Sequence, residues 1–586
     1  MSRPGRHPGH ALNGRPSPYR SLATGGAWLL ATVATAVCVH RAIALAWLAD
    51  DSFISFRYAE NLVRGHGLVY NVGERVEGYT NLLWTLLIAA PMALGISPEA
   101  TAKVAGIVFW LSLVAVLGLW SRRRGDGRPF MPLAACLVLV MPDYQTWATG
   151  GLETSMFAFL SVAGVLLACR VDAGSVQMLL AGLLLAMAVA TRPDGVIFAA
   201  VGVAGGWLVR AELPIRTRLA RSAALILPLV LAGTALVVFK LSYYGDLFPT
   251  AFYSKSALNP YYGQGLVYVC VFFLKNWILL PLALIIIVLL FLNRGRRAVA
   301  VGRTDLIFLA AFLGFAAYVV HSGGDFMFAR RLLPAMPFLF LALEGLLHSV
   351  SGVRVQVAIL AVAVVGAWLP YPLYPDRPYL IRGIADERMF YTPEILDLRR
   401  AQARAAARAL AAAPVRAIYE GSMCMFGYYS GLPYLAESTG LTQYTLAKQP
   451  LAARGRVGHE KSPDAEWATR NHIHFIFLSH APPFSLSEPR NADEIFFEGT
   501  LMARIWIYSD AIMDRLRDNP AVDFVPIERT LAVARQKIDQ APYEEAKGMY
   551  EFLERFYFRA AGPEKQRLAD EFIRQVEARK PAAPNR

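Results

Sequence analysis

Two adjacent carboxylates, Asp50 and Asp51, stand where the first apolar run of the chain ends. A carboxylate within hydrogen-bond reach of an attacking hydroxyl can take its proton. Two neighbouring carboxylates also repel, which lifts one pKa toward the neutral range where a base works. The structural reading of the same pair is a cap on a helix starting at Ser52, with the other group solvated; the local residues leave the two readings level. Arg57, Lys255, Arg330 and Arg331 are cations suited to phosphate oxygens, the arginines as planar forks and the lysine as a compact charge. Tyr58, Glu77, Asn81 and Asp325 add polar groups, and Glu77 and Asn81, four apart, can share one helix face toward a cavity. Gly323 and Gly324 allow a tight turn that presents Asp325 and the two arginines inward. Each assignment has a plainer counterpart: an interfacial anchor for Arg57, a snorkelling lysine in an aromatic belt for Lys255, a structural ion pair for Asp325.

Such groups must be held by something, and composition says what. The chain has 586 residues, 55% hydrophobic and 17% charged, with a mean hydropathy of +0.39. Soluble domains carry about a quarter charged residues, and repeated apolar runs here approach the roughly 20 residues needed to cross a bilayer. The fold class is a polytopic α-helical membrane protein. The formal net charge of +14 comes from arginines in short segments between apolar runs, the positive-inside signal rather than a nucleic-acid groove. Placing those segments inside gives about eleven transmembrane helices across residues 25–369, behind a cytoplasmic disordered tail at 1–24. The count closes if 82–95, short and broken by Pro91, is a re-entrant or juxtamembrane external helix. Every loop with a distinctive polar signature (50–81, 142–154, 191–195, 243–276 and 321–331) then lies outside.

The first apolar run reads as an uncleaved anchor. Four of the five cysteines lie in or near apolar runs and Cys424 stands apart, so no disulfide framework is expected, and no metal-ligand spacing appears. After a stiff proline-rich linker at 370–375, residues 376–586 have soluble composition. Alternating strand and helix patterns there predict an α+β extracytoplasmic domain.

The order of these segments resembles the GT-C superfamily of polyprenyl-phosphate-sugar-dependent membrane glycosyltransferases, and within it the mycobacterial terminal arabinofuranosyltransferases of arabinan assembly. The resemblance rests on the run LADDSFISFRYAEN (48–61) and the ERVE run (74–77). It continues in YYGDLFPTAFYSK (243–255) and the GGD turn (323–325) with arginines downstream, in Glu153, and in TRPDG (191–195), where Arg192 and Asp194 can pair. More weakly, GLTQ (440–443) and RVGHEK (456–461) are similar to a pattern in the family's external domain, which would let His459 contact the acceptor. The resemblance implies an inverting transfer on the external face of a bacterial plasma membrane. The base would be Asp50 or Asp51, and Arg57, Lys255 and Arg330 or Arg331 would neutralise the leaving phosphate. Arabinofuranose on a decaprenyl carrier is one candidate donor, a cell-envelope glycan or glycolipid the acceptor, and no metal or other cofactor is required. A lipid-linked-sugar flippase or a non-catalytic polysaccharide-binding scaffold are the alternatives. The first predicts charges deep within spans and duplicated halves, which this sequence lacks.

Overall fold

The computed structural model describes residues 18–124, 131–292, 302–368, 379–411, 413–420, 424–478, 491–559 and 562–581. Most of the expected tail and the 370–375 linker lie outside these residues. The first helix runs Pro18–Ala44, starting earlier and ending sooner than the apolar run alone implied.

Among the described residues, three helices are long and apolar enough to cross a membrane singly: Pro98–Arg124, Ile215–Tyr243 and Arg303–His321. Two helix pairs pass the same test together but are bent: Pro142–Thr149 with Thr154–Ala168 by 115°, and Tyr262–Lys275 with Leu279–Leu289 by 82°. Against the eleven spans expected, the remaining apolar helices are shorter, and the run expected as a span from Trp277 is the second arm of a bent pair whose first arm lies in the supposed loop 243–276. The helix Leu82–Met92, eleven residues with Pro91 inside it, is well short of a bilayer crossing.

The breaks in these apolar helices matter more than their number. Irregular backbone among membrane-embedded helices is tolerated where it is buried in protein or lines a cavity. At the 115° break, Gly151 adopts φ +81°, and Glu153 follows it at the start of Thr154–Ala168. Arg192 ends the helix Ser175–Thr191 in an extended conformation, and a single 3-10 turn, Pro193–Gly195, leads into Val196–Val209. Both breaks place charged residues where a continuous helix would have placed apolar ones.

The carboxyl-terminal part builds a six-stranded sheet in the order Tyr434–Glu437, Arg416–Glu420, Phe475–Leu478, Leu501–Ile505, Glu494–Phe497, Val522–Phe524. The first three strands pair in parallel and the rest antiparallel, so the sheet is mixed. Helix Pro393–Ala409 packs on it, Thr392 Oγ1 capping its amino end, and helices Ile527–Gln540, Tyr543–Leu553 and Pro563–Glu577 share a small separate core.

This sheet is stitched to the amino-terminal half by buried polar bonds. Asn71 exchanges bonds with the Leu435 backbone, Nδ2 to O at 3.1 Å and Oδ1 from N at 3.0 Å. Ser254 Oγ donates to Thr439 O at 2.7 Å. Ala385 N donates to Phe326 O at 2.8 Å, and Phe328 N donates to Ala385 O at 2.9 Å. Unpaired, each buried group would cost about 1–3 kcal/mol, so the two halves fold against one another.

Candidate active site

A cavity of about 430 Å³ opens where the helix breaks, the first loop and the sheet edge meet. Its wall includes Asp51, Asn81, Glu153, Arg192, Asp194, Lys255, Asp325, Arg330, Arg331, Glu437 and His459. Seven of the eleven residues singled out in the sequence lie there: Asp51, Asn81, Lys255, Asp325, Arg330, Arg331 and the weaker candidate His459.

Four cations on this wall face three carboxylates. Glu153 lies 2.9 Å from Arg330 Nη2 and 3.9 Å from Arg192 Nη1. Asp194 is 2.5 Å from Arg192 Nη2 and 3.9 Å from Arg331 Nη2. Lys255 Nζ is 4.0 Å from Asp325 Oδ1. The cluster keeps one positive charge in excess. Arg330 and Arg331 each hold a buried Nε with no hydrogen-bond partner among the described residues, and such a donor is costly unless something accepts from it. Burial alone would raise the Asp325 carboxyl, but Lys255, Arg330 and Arg331 bring it below the usual range. Burial also pulls the Lys255 ammonium down, against the pull of Asp325.

The loop that carries the two arginines is strained. Ala329, fully buried, sits at φ +65°, a left-handed conformation that costs a non-glycine residue about 1–2 kcal/mol. Upstream, Gly324 is at φ +72°, and a Cβ there would stand 2.5 Å from the Tyr268 side chain, so the expected tight turn requires glycine.

The paired aspartates divide. Asp50 is 3% exposed, and its two oxygens accept the Cys424 N–H at 2.7 Å and the Met425 N–H at 2.9 Å. It caps the helix Cys424–Ser430, not the helix at Ser52. Burial pushes its pKa up to about 7 despite those two bonds. Asp51 precedes the helix Ser52–Val63 but makes no side-chain cap bond, and it lines the cavity. Burial raises its pKa, with Arg330 and Lys255 pulling the other way.

Three expected contributors stand elsewhere. Arg57 is spent on structure: Nε donates to Tyr70 O at 2.7 Å, Nη1 to Gly427 O, and Nη2 to Asn71 Oδ1 at 3.2 Å and Leu432 O at 2.8 Å. Its fork matches backbone carbonyls across the two halves, leaving no free edge toward the cavity. Tyr58 is buried, donating to Val76 O at 2.6 Å and accepting from Gly78 N at 2.8 Å. Glu77 pairs with Lys240 at 2.7 Å; residues 75–79 are not helical, so Glu77 and Asn81 share no helix face. Asn81 does reach the wall, Nδ2 donating to Glu153 Oε2 at 2.9 Å.

His459 packs edge-on to Phe326 at 4.7 Å, and burial pushes its pKa down to about 4, which keeps the ring neutral. In the sequence Glu153, Arg192 and Asp194 stood out only as family matches, the last two as a pair; all three line the cavity while forming the pairs that shape it. Glu437 was missed. The only hint was an acidic residue closing an apolar four-residue strand, three positions before Gly440. Asp50, Asp51 and Cys424 bring oxygens and sulfur within 4.8 Å of one another. Both Asp50 oxygens already accept backbone bonds and burial keeps the Cys424 thiol protonated, so we assign no metal there.

The arrangement defines a class first. The chain has the fold of ArnT from Cupriavidus metallidurans. It matches that protein bound to undecaprenyl phosphate with a TM-score of 0.52 at 13% identity, over 82% of this chain and 98% of ArnT. The apo form gives 0.51 at 14% identity over the same shares. By sequence, the chain is similar to two proteins named terminal beta-(1->2)-arabinofuranosyltransferase. The one from Mycobacterium tuberculosis is 30% identical over 342 residues, 51% of this chain and 52% of that protein. The one from Corynebacterium glutamicum is 27% identical over 364 residues, 56% and 51%. The match thus spans about half the length of these relatives, and no family model matches the chain.

Proposed function

We propose that the protein is a glycosyltransferase of the bacterial plasma membrane that moves a sugar from a polyprenyl-monophosphate donor to a hydroxyl of an envelope glycan or glycolipid. The observation that carries this is the meeting, in one cavity, of Asp51, which faces no cation within ion-pair distance among the described residues, with a cationic cluster in excess by one charge. A polyprenyl phosphate esterified to a sugar bears a single negative charge, which these cations are suited to bind. In the reaction the acceptor oxygen bonds to the anomeric carbon and its proton passes to Asp51. The bond from that carbon to the phosphate oxygen breaks, and the polyprenyl phosphate leaves with the electron pair. Lys255, Arg330 and Arg331 hold the charge that develops, the largest single contribution in reactions of this kind. Attack and departure on opposite sides of the carbon invert its configuration. No step needs a metal or other cofactor.

The relatives' names and the ArnT complex with undecaprenyl phosphate support a lipid-phosphate donor, and the relatives favour arabinofuranose as the sugar. The test incubates purified protein with labelled polyprenyl-phosphate sugars, decaprenyl-phosphate arabinofuranose among them, and arabinan acceptors. Consumption of one donor with a matching glycan product is the expected outcome. If no donor is consumed with any acceptor, the proposal fails.

A further inference from the structure

We propose that Glu437 is an acceptor-binding residue, holding a hydroxyl of the acceptor sugar beside Asp51; this rests on the transferase reading above. Glu437 is 1% exposed, closes the strand Tyr434–Glu437 and lines the same cavity as Asp51. Three bonds fix it, all on one oxygen: Oε2 accepts from Thr439 N at 2.9 Å, Thr439 Oγ1 at 2.6 Å and Leu441 N at 3.2 Å. Oε1 accepts none among the described residues, and no cation among them lies within ion-pair distance of Glu437. The other carboxylates on the wall divide cleanly. Glu153, Asp194 and Asp325 each have a cation within ion-pair distance, whereas among the described residues Asp51 and Glu437 have none.

A carboxylate oxygen at a cavity wall with no partner among the described residues is open to a donor from a ligand. An anionic phosphate would be repelled, whereas a neutral hydroxyl satisfies the oxygen without bringing charge. Such hydroxyls come from either sugar, and two facts favour the acceptor. The charge acting most on Glu437 is that of Asp51, and both carboxylates line the one cavity. The hydroxyl that surrenders its proton to Asp51 belongs to the acceptor, so a second carboxylate under the influence of Asp51 meets that same molecule. The loop behind Glu437 is anchored by Ser254 Oγ on Thr439 O at 2.7 Å, on the helix just before Lys255, so the residue is held in place before any ligand arrives. Burial pushes the Glu437 pKa up to about 7, in keeping with a carboxyl awaiting a neutral partner.

The test is E437Q in the full-length protein. The glutamine amide oxygen can take over the three bonds at Oε2, leaving an NH₂ where Oε1 stood, so only the atom facing the cavity changes from acceptor to donor. Steady-state transfer is measured with decaprenyl-phosphate arabinofuranose and a synthetic oligoarabinofuranoside, each varied in turn, with thermal unfolding run alongside. We expect the acceptor KM to rise about ten- to a hundredfold, while the donor KM stays within about twofold. An unchanged acceptor KM overturns the proposal, and so does an equal rise in donor KM, which would put Glu437 on the donor sugar. Should E437Q unfold early, E437D is measured instead: it keeps the charge one methylene short and should raise the acceptor KM alone. A wild-type chain inert toward every donor sinks the transferase reading and this inference together. A wild type that transfers, with variants showing either overturning pattern, sinks only the inference.

Discussion

Asp50 and Asp51 are neighbours in the chain, but their carboxylates serve different ends: one binds the Cys424 and Met425 backbone, the other faces the cavity. A single turn of backbone therefore couples the position of the proposed base to the helix Cys424–Ser430. D51N should lower transfer by about 10²–10⁴-fold with little change in thermal unfolding, since its side chain makes no cap bond to the helix it precedes. D50N should do the reverse. An amide accepts through one oxygen only, so one of two cap bonds is lost, about 0.5–1.5 kcal/mol; a falling Tm with turnover within about tenfold is the expected pattern. Equal kinetic loss in both variants would contradict this division.

Arg330 and Arg331 each hold an Nε in the cavity wall that has no partner among the described residues. R330Q and R331Q should each raise the donor KM or lower kcat/KM by about 10–100-fold, the worth of a hydrogen bond between charged groups at about 1.5–3 kcal/mol. Donor saturation curves measure this. The acceptor KM should move far less.

Arg57 gives a contrasting expectation. R57A strips the carbonyls of Gly427 and Leu432 of their donor, each worth about 1–3 kcal/mol when buried, and leaves Tyr70 O with Asn61 Nδ2 alone. Thermal unfolding should show a marked loss, and the protein that remains folded should bind donor as wild type does. R57K cannot rescue it, because an ammonium lacks the planar fork.

The pH dependence of activity and of stability should slope in opposite directions. Asp51 must be ionised to accept a proton, and its pKa is raised, so the acid limb of kcat/KM should lie above the usual aspartate range near about 4. Asp50 is raised to about 7. Between about 4 and about 7 the folded chain therefore holds a proton that the unfolded chain has released, and the Asp50 contribution to stability is lost as pH rises through that window. Unfolding of wild type and D50N across the window should converge toward its upper end. A wild-type acid limb at or below about 4 would count against Asp51 as base.

Much of this was legible in the sequence and some was not, for identifiable reasons. Apolar runs between arginine clusters revealed the membrane class, and short polar motifs marked four of the cavity's walls, because a charge near an apolar run must be justified by something. The strands at Arg416–Glu420, Phe475–Leu478 and Leu501–Ile505 fall within or beside the strand patterns at 415–420, 472–479 and 502–508, since buried strands read as short apolar runs. The breaks near 150–153 and 192–195 fall in segments read as loops, but the sequence did not show that Pro142–Thr149 is helical and bends by 115° into the next helix. Nor could the sequence divide the aspartate pair or reveal the task of Arg57. Both depend on partners more than 350 positions away, at Cys424 and Gly427, which only the folded chain brings near.

The cap on Cys424–Ser430 also limits how this molecule can be dissected. A version cut off after Trp368 would leave Asp50, Arg57 and Asn71 facing solvent or one another, and would take one side off the chamber. A recombinant tail beginning at Tyr379 would bare the mating surface of that removed side. Attempts to obtain the two portions separately should therefore give aggregates, and swapping tails between homologous proteins should succeed only when the amino-terminal contacts travel with them.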